Sequence, residues 1–532
     1  MPVLTGVDVL AVQRFVFASN RLRDVAAASW LLEQVTRGDV VGHAQEAGGD
    51  ALTAAGAVAV LRFPDRAAAA RFATSYTRHL LEKLPEADVA LVHREYPDGA
   101  LARALLAVQV DLARAKTEFL PSVPLRGLAV TAACRDTGLP AVAVLPDPEQ
   151  TAVPLAAVPA EGRRLRNEVR GQHDQVLKDA RAALPPDREL PDRMAFPLLT
   201  DDVAGSSAGD RSEVAVVHVD GNQIGALISG RLTKLAQRAV SDGEVAEEYR
   251  LLSKGLSERG EAMLTAVARH TVDAVVPTDR EDGPRWLVAG TVPELAVPLA
   301  VAEDGAVQLP LRPVLLGGDD LTLVCDGRIA LDLAATAVRA FAAPLATAGH
   351  QGQFSACAGV AVVPAHAPFL RAYQLAAELC TSAKARWRAG GQVGGALDWH
   401  LGATSPGVSV ASLRSARAQQ QGQHLTCRPY TIGNGTGVTS WEWLRTELLP
   451  ALRGDLWGAR RGKVHALAEA TPRGRGAVHD LLETWRVVTP DLRLPPPLAD
   501  DDPFGGTAGT PLLDAAELLD RAQFLVSAGT GQ

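Results

Sequence analysis

Apolar and polar residues in the first 120 positions follow a pattern that predicts an α/β unit. Short apolar runs indicate strands, and large apolar residues at a spacing of three to four indicate helices. The predicted elements are, in order, strand Val3–Val12, helix Gln13–Gln34, strand Ala57–Phe63, helix Arg66–Leu84, strand Asp88–His93 and helix Leu101–Phe119. The order β-α-β-α-β with an apolar sheet predicts a single packed α/β unit over residues 1–120.

Residues 213–400 show a similar alternation and predict a second α/β unit. The predicted elements are strand Val214–Val219, a helical stretch from about Ile224 to Val275, extra strands within Trp286–Ala300, a hairpin around Gly317–Asp320, helix Ile329–Phe341, strand Phe354–Val363, helix Pro368–Arg388 and strand Ala396–Trp399. The order βα, ββ, α, β, α, β resembles that of the first unit, which indicates a weak internal duplication.

The remaining segments are less regular. Residues 121–212 contain many prolines and predict an irregular linker with a charged helix at Arg163–Ala183 and a small-residue linker at residues 204–209. Residues 401–532 predict a helical C-terminal domain that contains a Pro- and Asp-rich loop at residues 491–511 and ends in helix Leu512–Leu525. We therefore predict four segments, with boundaries at residues 1–120, 121–212, 213–400 and 401–532.

Composition narrows the class of protein. A chain of 532 residues is too long for one hydrophobic core, and 47% hydrophobic with 21% charged residues is typical of a globular protein. The net charge of -8 argues against nucleic-acid binding through bulk charge. The five cysteines are scattered and form no CxxC pair, which argues against a disulfide framework or a zinc cluster. With no targeting segment and no bilayer-length apolar run, we expect a cytoplasmic protein without a membrane partner.

The sequence Gly317-Gly318-Asp319-Asp320 is the strongest chemical signal in the chain. It joins two apolar runs, which predicts a tight β-hairpin with two carboxylates at its tip. Adjacent carboxylates are costly to ionise together unless a cation neutralises them, and hard oxygen ligands beside a bare backbone suit Mg²⁺ with a triphosphate. Taken alone, the same four residues also fit an ordinary solvated turn.

A second carboxylate, Asp220, follows the apolar strand Val214–Val219 and opens the turn Asp220-Gly221-Asn222-Gln223-Ile224-Gly225. Such a turn into a helix offers N–H groups to a phosphate, while Asp220 can face its cation. The alternative is that Asp220 only caps the helix. If the strand lies beside the hairpin, Asp220 and Asp319 converge as metal ligands, with Asp320 as a third candidate.

Lys384 provides a third signal, late in the predicted helix Pro368–Arg388. A lysine at this position can reach a triphosphate as a point charge, with Arg386 or Arg388 near it. The alternative is a solvated helix C-terminus, where basic residues are expected in any case. The sequence leaves these two interpretations open.

Taken together, these motifs resemble a known family, the large polymerase-cyclase subunit of type III CRISPR effector complexes. The residues that resemble its second palm domain are Val216–Asn222, Gly317–Asp320, Ser382–Lys384 and Leu397–His400, and those that resemble its degenerate first palm are Asp8–Arg23. The resemblance covers roughly residues 1 to 460. It implies an α/β (α+β) fold of two ferredoxin-like palm domains, with mixed or antiparallel sheets and a helical C-terminal domain.

The resemblance also implies an activity. Members with the Gly-Gly-Asp-Asp motif condense ATP into cyclic oligoadenylates with Mg²⁺ or Mn²⁺. Asp220, Asp319 and Asp320 would be the catalytic, metal-holding residues. Gly221, Asn222, Gly225, Gly317, Gly318 and Lys384 would bind the substrate, ATP or another NTP. The first palm would supply part of the acceptor pocket, and other CRISPR effector subunits and RNA are the partners implied; the sequence leaves a homo-oligomer open.

The chain departs from the family pattern in two ways. Family members often begin with an HD nuclease domain, whereas here the palm-like sequence begins at once, and the zinc-binding cysteines between the palms are reduced to Cys134. These departures argue against DNA cleavage of that type and against that zinc site, and they favour a stand-alone signalling enzyme over a subunit of an RNA-guided complex. Two alternatives to a cyclic oligonucleotide synthase remain: a catalytically weak structural subunit, and a diguanylate-type cyclase, whose GGDEF motif also begins Gly-Gly-Asp.

Overall fold

The structure is a computed structural model. It describes residues 1–119, 130–147, 150–205, 212–238, 240–278, 285–344, 354–402, 408–415, 424–433, 437–457, 461–498 and 502–527. Most of the small-residue linker predicted at residues 204–209 lies outside these ranges.

The first α/β unit, residues 3–118, has a four-stranded antiparallel sheet. Its elements are β1 (Val3–Leu10), α1 (Val12–Val16), α2 (Leu22–Glu33), a π-helical turn (Gln34–Asp39), α3 (Val40–Glu46), β2 (Asp50–Ala55), β3 (Val58–Phe63), α4 (Arg66–Lys83), β4 (Asp88–Glu95) and α5 (Leu101–Glu118). The strand order is β2-β3-β1-β4. This is the ferredoxin-like order, in which the first strand lies between the third and fourth.

The prediction for this unit missed strand β2 and joined helices α1 and α2 into one. Strand β2 was not predicted, because its sequence Asp-Ala-Leu-Thr-Ala-Ala is weakly apolar. The helix predicted at Gln13–Gln34 is interrupted between α1 and α2. With β2 in place, the order becomes βα-ββ-α-β, the same as in the second unit.

A middle region connects the two units. Its elements are β5 (Ala143–Asp147), β6 (Gln150–Leu155), α6 (Ala157–Arg164), α7 (Arg166–Gly171), α8 (Asp174–Ala182), β7 (Met194–Ala195) and α9 (Thr200–Val203). The single helix predicted at Arg163–Ala183 is therefore three short ones.

The second α/β unit, residues 213–401, has a mixed sheet. Its elements are β8 (Glu213–Gly221), α10 (Ile224–Ala236), α11 (Asp242–Asp273), β9 (Val275–Pro277), β10 (Trp286–Val288), β11 (Val297–Pro298), β12 (Val307–Gln308), β13 (Leu311–Leu316), β14 (Asp320–Asp326), α12 (Ala330–Ala342), β15 (Ala356–Pro364), α13 (Phe369–Ala389) and β16 (Gly395–Leu401). The predicted helical stretch from Ile224 divides into α10 and α11 because Ser241 starts α11 with a capping box.

The C-terminal region, residues 408–527, is mainly helical in its described parts. Its elements are α14 (Val410–Ser415), β17 (Tyr430–Ile432), α15 (Trp441–Trp443), α16 (Leu449–Arg453), α17 (Arg461–Ala470), α18 (Arg475–Arg486) and α19 (Leu512–Leu518). The last helix was predicted to reach Leu525, but it ends at Leu518. Buried Asp514 of α19 accepts hydrogen bonds from the Tyr430 hydroxyl (3.0 Å) and from the Cys427 N–H (2.8 Å).

The sheet of the second unit has the order β13-β14-β8-β15-β16-β17, and β16 is parallel to β15. One face packs on α11 and α12 through residues such as Val217 and Val219, and the other packs on α13 and the first unit through Val214 and Val216. Side chains alternate along a strand, so Asp220 lies on the α13 face. The predicted fold class, with two ferredoxin-like units and a helical C-terminal region, is confirmed.

Two further expectations from the sequence concern membrane-spanning helices and the cysteines. None of the described helices is both long enough and apolar enough to cross a membrane. All five cysteines are buried and carry free thiols.

Candidate functional site

The Gly-Gly-Asp-Asp sequence forms the predicted hairpin. Gly317, Gly318 and Asp319 are the loop between β13 and β14, and Asp320 is the first residue of β14. The Gly317 N–H donates a hydrogen bond to the Asp320 carbonyl oxygen (2.8 Å), which closes the turn. Gly318 has a φ of +77°, a conformation that strongly favours glycine.

Strand β8 places Asp220 beside this hairpin. β14 pairs with β8 in antiparallel register, and Asp320 lies directly opposite Asp220. Opposed residues of antiparallel strands have Cβ atoms about 4.5–5.5 Å apart, so these two carboxylates share one patch of the sheet. The Asp319 carbonyl oxygen accepts a hydrogen bond from the Gly221 N–H (2.8 Å). We expected Asp319 to converge with Asp220 from the neighbouring strand; the residue opposite Asp220 is Asp320, with Asp319 next to it.

Lys384 also lies in this patch. Its Nζ is 2.7 Å from Oδ2 of Asp220 and donates a hydrogen bond to the Gly221 carbonyl oxygen (3.0 Å). Its side chain is only 18% exposed, so Lys384 is not part of a solvated helix end. Asp220 does not cap α10 either, since Gln223 precedes that helix and makes no side-chain cap. Both structural alternatives from the sequence are therefore wrong.

The site carries unbalanced negative charge. Burial, and then the neighbouring charge of Asp220, raise the pKa of the Asp319 carboxyl from 3.8 to about 6, and Asp320 adds to this effect. Lys384 opposes the shift without cancelling it. A carboxylate with a raised pKa beside two other carboxylates is the arrangement that a bound cation would relieve.

We predict that Asp319→Asn stabilises the protein in the absence of metal. The folded protein holds the Asp319 proton more tightly than the unfolded chain does, so the free energy of unfolding falls as the pH rises from about 4 to about 6. Asparagine mimics the protonated form, so at pH 7 we expect a gain of about 1–3 kcal/mol. Urea unfolding of the wild type and of Asp319→Asn, in EDTA at pH 7 and at pH 4, measures the difference in their free energies of unfolding. If that difference is the same at both pH values, the prediction is wrong.

The turn after Asp220 is packed against its neighbours. Asn222 is buried, and its Nδ2 donates to Oγ of Ser355 (3.0 Å) while its N–H donates to the Ser355 carbonyl oxygen (2.8 Å). A Cβ on Gly221 would lie 3.0 Å from Cβ of Asp319, which leaves no room for a side chain. Gly225 is different: a Cβ there would have no heavy atom within 4 Å. Packing and hydrogen bonds thus fix Gly221 and Asn222 in place, whereas the space beside Gly225 is open.

Sequence reasoning missed His218, two residues before Asp220 on the same face of β8. Its Nδ1 is 3.2 Å from Oδ1 of Asp320 and 3.1 Å from Oγ1 of Thr322, and its ring packs edge-on against Tyr373. Burial acts to lower the pKa of His218, but Asp320 and Asp220 together raise it above its ordinary value. The sequence did contain a signal for His218. In a strand, residues two positions apart face the same side, so a histidine at 218 lies on the face of Asp220.

The tip of the hairpin is held between two glycines from other elements. A Cβ on Gly260 of α11 would lie 2.5 Å from the Gly318 carbonyl oxygen. A Cβ on Gly56, at the tip of the β2–β3 hairpin, would lie 3.0 Å from the Gly317 carbonyl oxygen. The two hairpin tips of the two α/β units therefore touch; a methyl group has no room at Gly260, and at Gly56 it would crowd the backbone of Gly317.

A cavity of about 410 Å³ opens beside this contact, between the two units. The second unit contributes Gly317, Gly318 and Asp320 to its wall. The first unit contributes the end of β1 with Asp8, the tip of the β2–β3 hairpin, and Lys116 from α5. One carboxylate of the patch, that of Asp320, thus borders a space large enough for a small molecule.

The donor atoms of the patch are compatible with a divalent cation. Among the residues that the structure describes, no three His, Cys, Asp or Glu side chains form a complete metal-binding group on their own. Oδ1 of Asp320 is buried with Nδ1 of His218 3.2 Å away, and Asp319 carries the raised pKa already described. Mg²⁺ is commonly held by one or two carboxylates together with substrate phosphates, so the patch fits a cation that a nucleotide also binds.

Comparison with known proteins found a family model that matches the unit containing Asp220, Asp319 and Asp320. Residues 213–389 match the family model described as Cas10/Cmr2, second palm domain. No curated protein matches the chain in sequence.

Solved structures are similar over nearly the whole chain. They include Csm1 from T. onnurineus, which is 14% identical with a TM-score of 0.52 and aligns with 97% of this chain and 69% of its own. A Csm1–Csm4 cassette in complex with cA3 is 12% identical with a TM-score of 0.51, covering 98% and 70%. A cassette in complex with AMPPNP is 13% identical with a TM-score of 0.50, covering 97% and 69%.

At these identities the solved structures establish the likeness of fold, while the family model covers the unit that holds the carboxylate patch. Strand β8, the hairpin of β13 and β14, and α13 with Lys384 all lie inside the matched range. Residues 213–389 of this chain therefore match the second palm domain of the Cas10/Cmr2 family, and the chain as a whole is similar in fold to Csm1.

Proposed function

We propose that this protein is a metal-dependent nucleotidyltransferase that joins ATP into a cyclic oligonucleotide signal and releases pyrophosphate, in CRISPR-type antiviral defence. The observation that carries the proposal is the placement of Asp220 opposite Asp320, with Asp319 beside them, on the hairpin of a Cas10/Cmr2 second palm domain. A purely structural subunit has no need for three neighbouring carboxylates, two of which raise the pKa of Asp319.

In this proposal the residues of the chain have distinct roles. Asp220 and Asp319, assisted by Asp320, would hold Mg²⁺ or Mn²⁺, which would supply charge neutralisation for the phosphates and activation of the attacking hydroxyl. Gly317 and Gly318 line the cavity without side chains, so a triphosphate in the cavity would meet the bare backbone of the hairpin. Lys384 holds Asp220 in place through its 2.7 Å contact and lies close enough to offer its charge to a phosphate.

The choice of ATP and of partners rests on the related structures. Csm1–Csm4 cassettes of similar fold have been solved with AMPPNP and with cA3. We infer that this chain likewise takes adenine nucleotides and assembles with a Csm4-like subunit of a CRISPR effector. The cavity of about 410 Å³ beside the hairpin provides space for part of a nucleotide.

Incubation with each NTP and Mg²⁺ or Mn²⁺, with the products identified by mass spectrometry, tests the proposal. The assay is run on the chain alone and after addition of effector subunits and target RNA. We expect a cyclic adenylate from ATP and no product in EDTA. If every condition leaves all four NTPs unchanged, the protein is a structural subunit; a product made only from GTP supports a diguanylate-type cyclase.

We also predict that Gly260→Ala reduces product formation about tenfold or more. The new methyl group would overlap the Gly318 carbonyl oxygen and displace the hairpin, and small misplacements of a reacting site have large effects on rate. Gly230→Ala is the matched control, because Gly230 is also inside a helix but a Cβ there meets no atom within 4 Å. Equal rates of product formation for Gly260→Ala and Gly230→Ala would show that the close contact between Gly260 and Gly318 does not affect the reaction.

A further inference from the structure

Asp320 presents only one of its two carboxylate oxygens to solvent. The residue lines the cavity wall and its side chain is 31% exposed, yet Oδ1 is buried, which leaves Oδ2 as the oxygen that can meet a cation. The terminal torsion of an aspartate side chain is soft, so a neighbouring group must hold the carboxylate in one orientation. Whatever holds Oδ1 of Asp320 therefore decides whether Oδ2 is available to an ion.

The group that holds Oδ1 is the imidazole of His218. Its Nδ1 lies 3.2 Å from Oδ1 of Asp320 and 3.1 Å from Oγ1 of Thr322. Thr322 is directly opposite His218 in the ladder of β8 and β14, so the register of the two strands fixes this contact. An imidazole that binds the far oxygen of a metal-binding carboxylate orients the carboxylate from outside the metal's own ligand set.

The ring of His218 is supported in turn by Tyr373 of α13. The two rings meet edge to face, with centroids 5.4 Å apart and planes at 68°. Gly359 of β15 lies opposite His218 on the other side of β8, and a Cβ on Gly359 would lie only 2.0 Å from the Ala376 carbonyl oxygen of α13. Because a glycine gives the imidazole no lateral support from β15, the tyrosine ring supplies the support on the helix side.

Tyr373 is itself packed against the first α/β unit. Its ring stacks on Phe17, the residue that follows α1, with centroids 5.0 Å apart and planes at 25°. Both side chains are buried and belong to an apolar core that includes residues of both units. The Tyr373 hydroxyl also has Gln13 of α1 as a hydrogen-bond partner. Three rings in contact therefore connect the first unit to the carboxylate of Asp320.

We propose that His218 is a positioning residue for Asp320, and that the first unit adjusts its position through Phe17 and Tyr373. That Asp320 binds a metal ion rests on the proposed function. A displacement of α1 against α13 would move the Tyr373 ring and then the imidazole, and so turn Asp320 away from the ion. The first unit would thus set the metal affinity of the second unit without contributing a ligand. Contacts in series predict that substitutions along them are not additive.

Two substitutions at His218 separate its hydrogen bond from its packing. His218→Phe keeps a ring against Tyr373 but has no N–H for Asp320, whereas His218→Asn places an amide nitrogen near the position of Nδ1. The measurement is Mn²⁺ binding by electron paramagnetic resonance, with an ATP analogue that has a methylene group between its α- and β-phosphates. We expect His218→Phe to weaken Mn²⁺ binding about tenfold and His218→Asn to stay within about threefold of the wild type.

Phe17→Leu tests the contact between the units. It keeps an apolar side chain but removes the stacked ring, and we expect Mn²⁺ binding to weaken about three- to tenfold. In a His218→Phe background the same substitution should change Mn²⁺ binding less than about twofold, because the last contact is already lost. Phe72→Leu is the matched control, since Phe72 is also buried and stacks on Tyr76 within the first unit (5.3 Å, 12°). It should lower stability but leave the Mn²⁺ affinity unchanged.

Several outcomes would overturn the inference: wild-type Mn²⁺ affinity in His218→Phe, tighter Mn²⁺ binding in that variant, equal losses in Phe17→Leu and Phe72→Leu, or additive losses in the double variant. Tighter binding would mean that the imidazole competes with the ion for Asp320. The expected losses of Mn²⁺ affinity without any product from ATP would refute the proposed function and leave the inference intact. A wild type that binds no Mn²⁺ would refute both.

Discussion

Asp319→Asn is expected to lower the rate of product formation from ATP by about a hundredfold or more, while the folded protein becomes more stable in EDTA. The carboxylate is placed next to Asp220 and Asp320, where burial and their charge raise its pKa to about 6. A carboxyl group with a raised pKa destabilises the folded protein at neutral pH. Such groups are typical of functional sites, here a site where the carboxylate would bind a cation. Loss of a charged group that stabilises a transition state typically costs two to three orders of magnitude in rate, or about 3–4 kcal/mol.

The measurement is the initial rate of product formation at saturating ATP and Mg²⁺, with circular dichroism to confirm folding. Asp480→Asn is the control, since Asp480 is an exposed residue of α18 in the C-terminal region. The combination of lower activity with higher stability separates a functional carboxylate from a structural one. A variant that loses stability together with activity would indicate that Asp319 only supports the hairpin.

Lys384→Met is expected to have the second largest effect, a reduction of about ten- to a hundredfold in kcat/KM for ATP. The substitution removes the 2.7 Å contact to Asp220 and the hydrogen bond to the Gly221 carbonyl oxygen, so both the carboxylate and the turn lose their orientation. Charge-assisted contacts of this kind are worth about 1.5–3 kcal/mol, which corresponds to this range of rates.

Arg388→Met provides the matched control for Lys384, because Arg388 lies in the last turn of the same helix and is exposed. Both variants remove one positive charge from α13, so a general electrostatic effect on ATP binding would appear in both. Steady-state kinetics over a range of ATP concentrations separates KM from kcat. If Arg388→Met and Lys384→Met lose activity equally, the specific contact to Asp220 is not responsible.

Much of the site could be predicted from the sequence because its parts are local. The apolar runs around Gly317-Gly318 define a hairpin, and the apolar strand before Asp220 defines a strand end. The ferredoxin-like order then brings β8 beside β14, which places the carboxylates together. The family resemblance drawn from these motifs is confirmed over residues 213–389.

Other features depend on contacts that no local pattern encodes. Whether Asp319 or Asp320 lies opposite Asp220 is set by the length of the hairpin loop, and a shift of one residue reverses the face. Strand β2 is weakly apolar and is stabilised by its pairing with β3 and its packing on α11, where Oγ1 of Thr53 and Oγ of Ser253 are 2.6 Å apart. The role of Gly260 is visible only when α11 is packed against the hairpin.

The first α/β unit holds an ion pair between Asp8 and Lys116 (Oδ2 to Nζ, 2.6 Å) that could be predicted only in part. The internal duplication was visible in the order of the predicted elements, but the missed strand β2 obscured the alignment of the two units. With all strands in place, the spacing of Lys116 and Lys384 from the starts of their helices is the same. A sequence signal therefore existed, but the structure was needed to align the two copies.

The central claim, that Asp220, Asp319 and Asp320 hold the metal of a nucleotide-joining site, is tested most directly by a crystal structure with Mn²⁺ and a non-hydrolysable ATP analogue. Anomalous scattering from manganese locates the ion without reference to the protein coordinates. We predict an anomalous peak bound by the carboxylates of Asp220 and Asp319, with the phosphates of the analogue beside Gly317 and Gly318. An analogue bound at the hairpin without a manganese peak, or manganese and nucleotide bound away from these carboxylates, would contradict the claim.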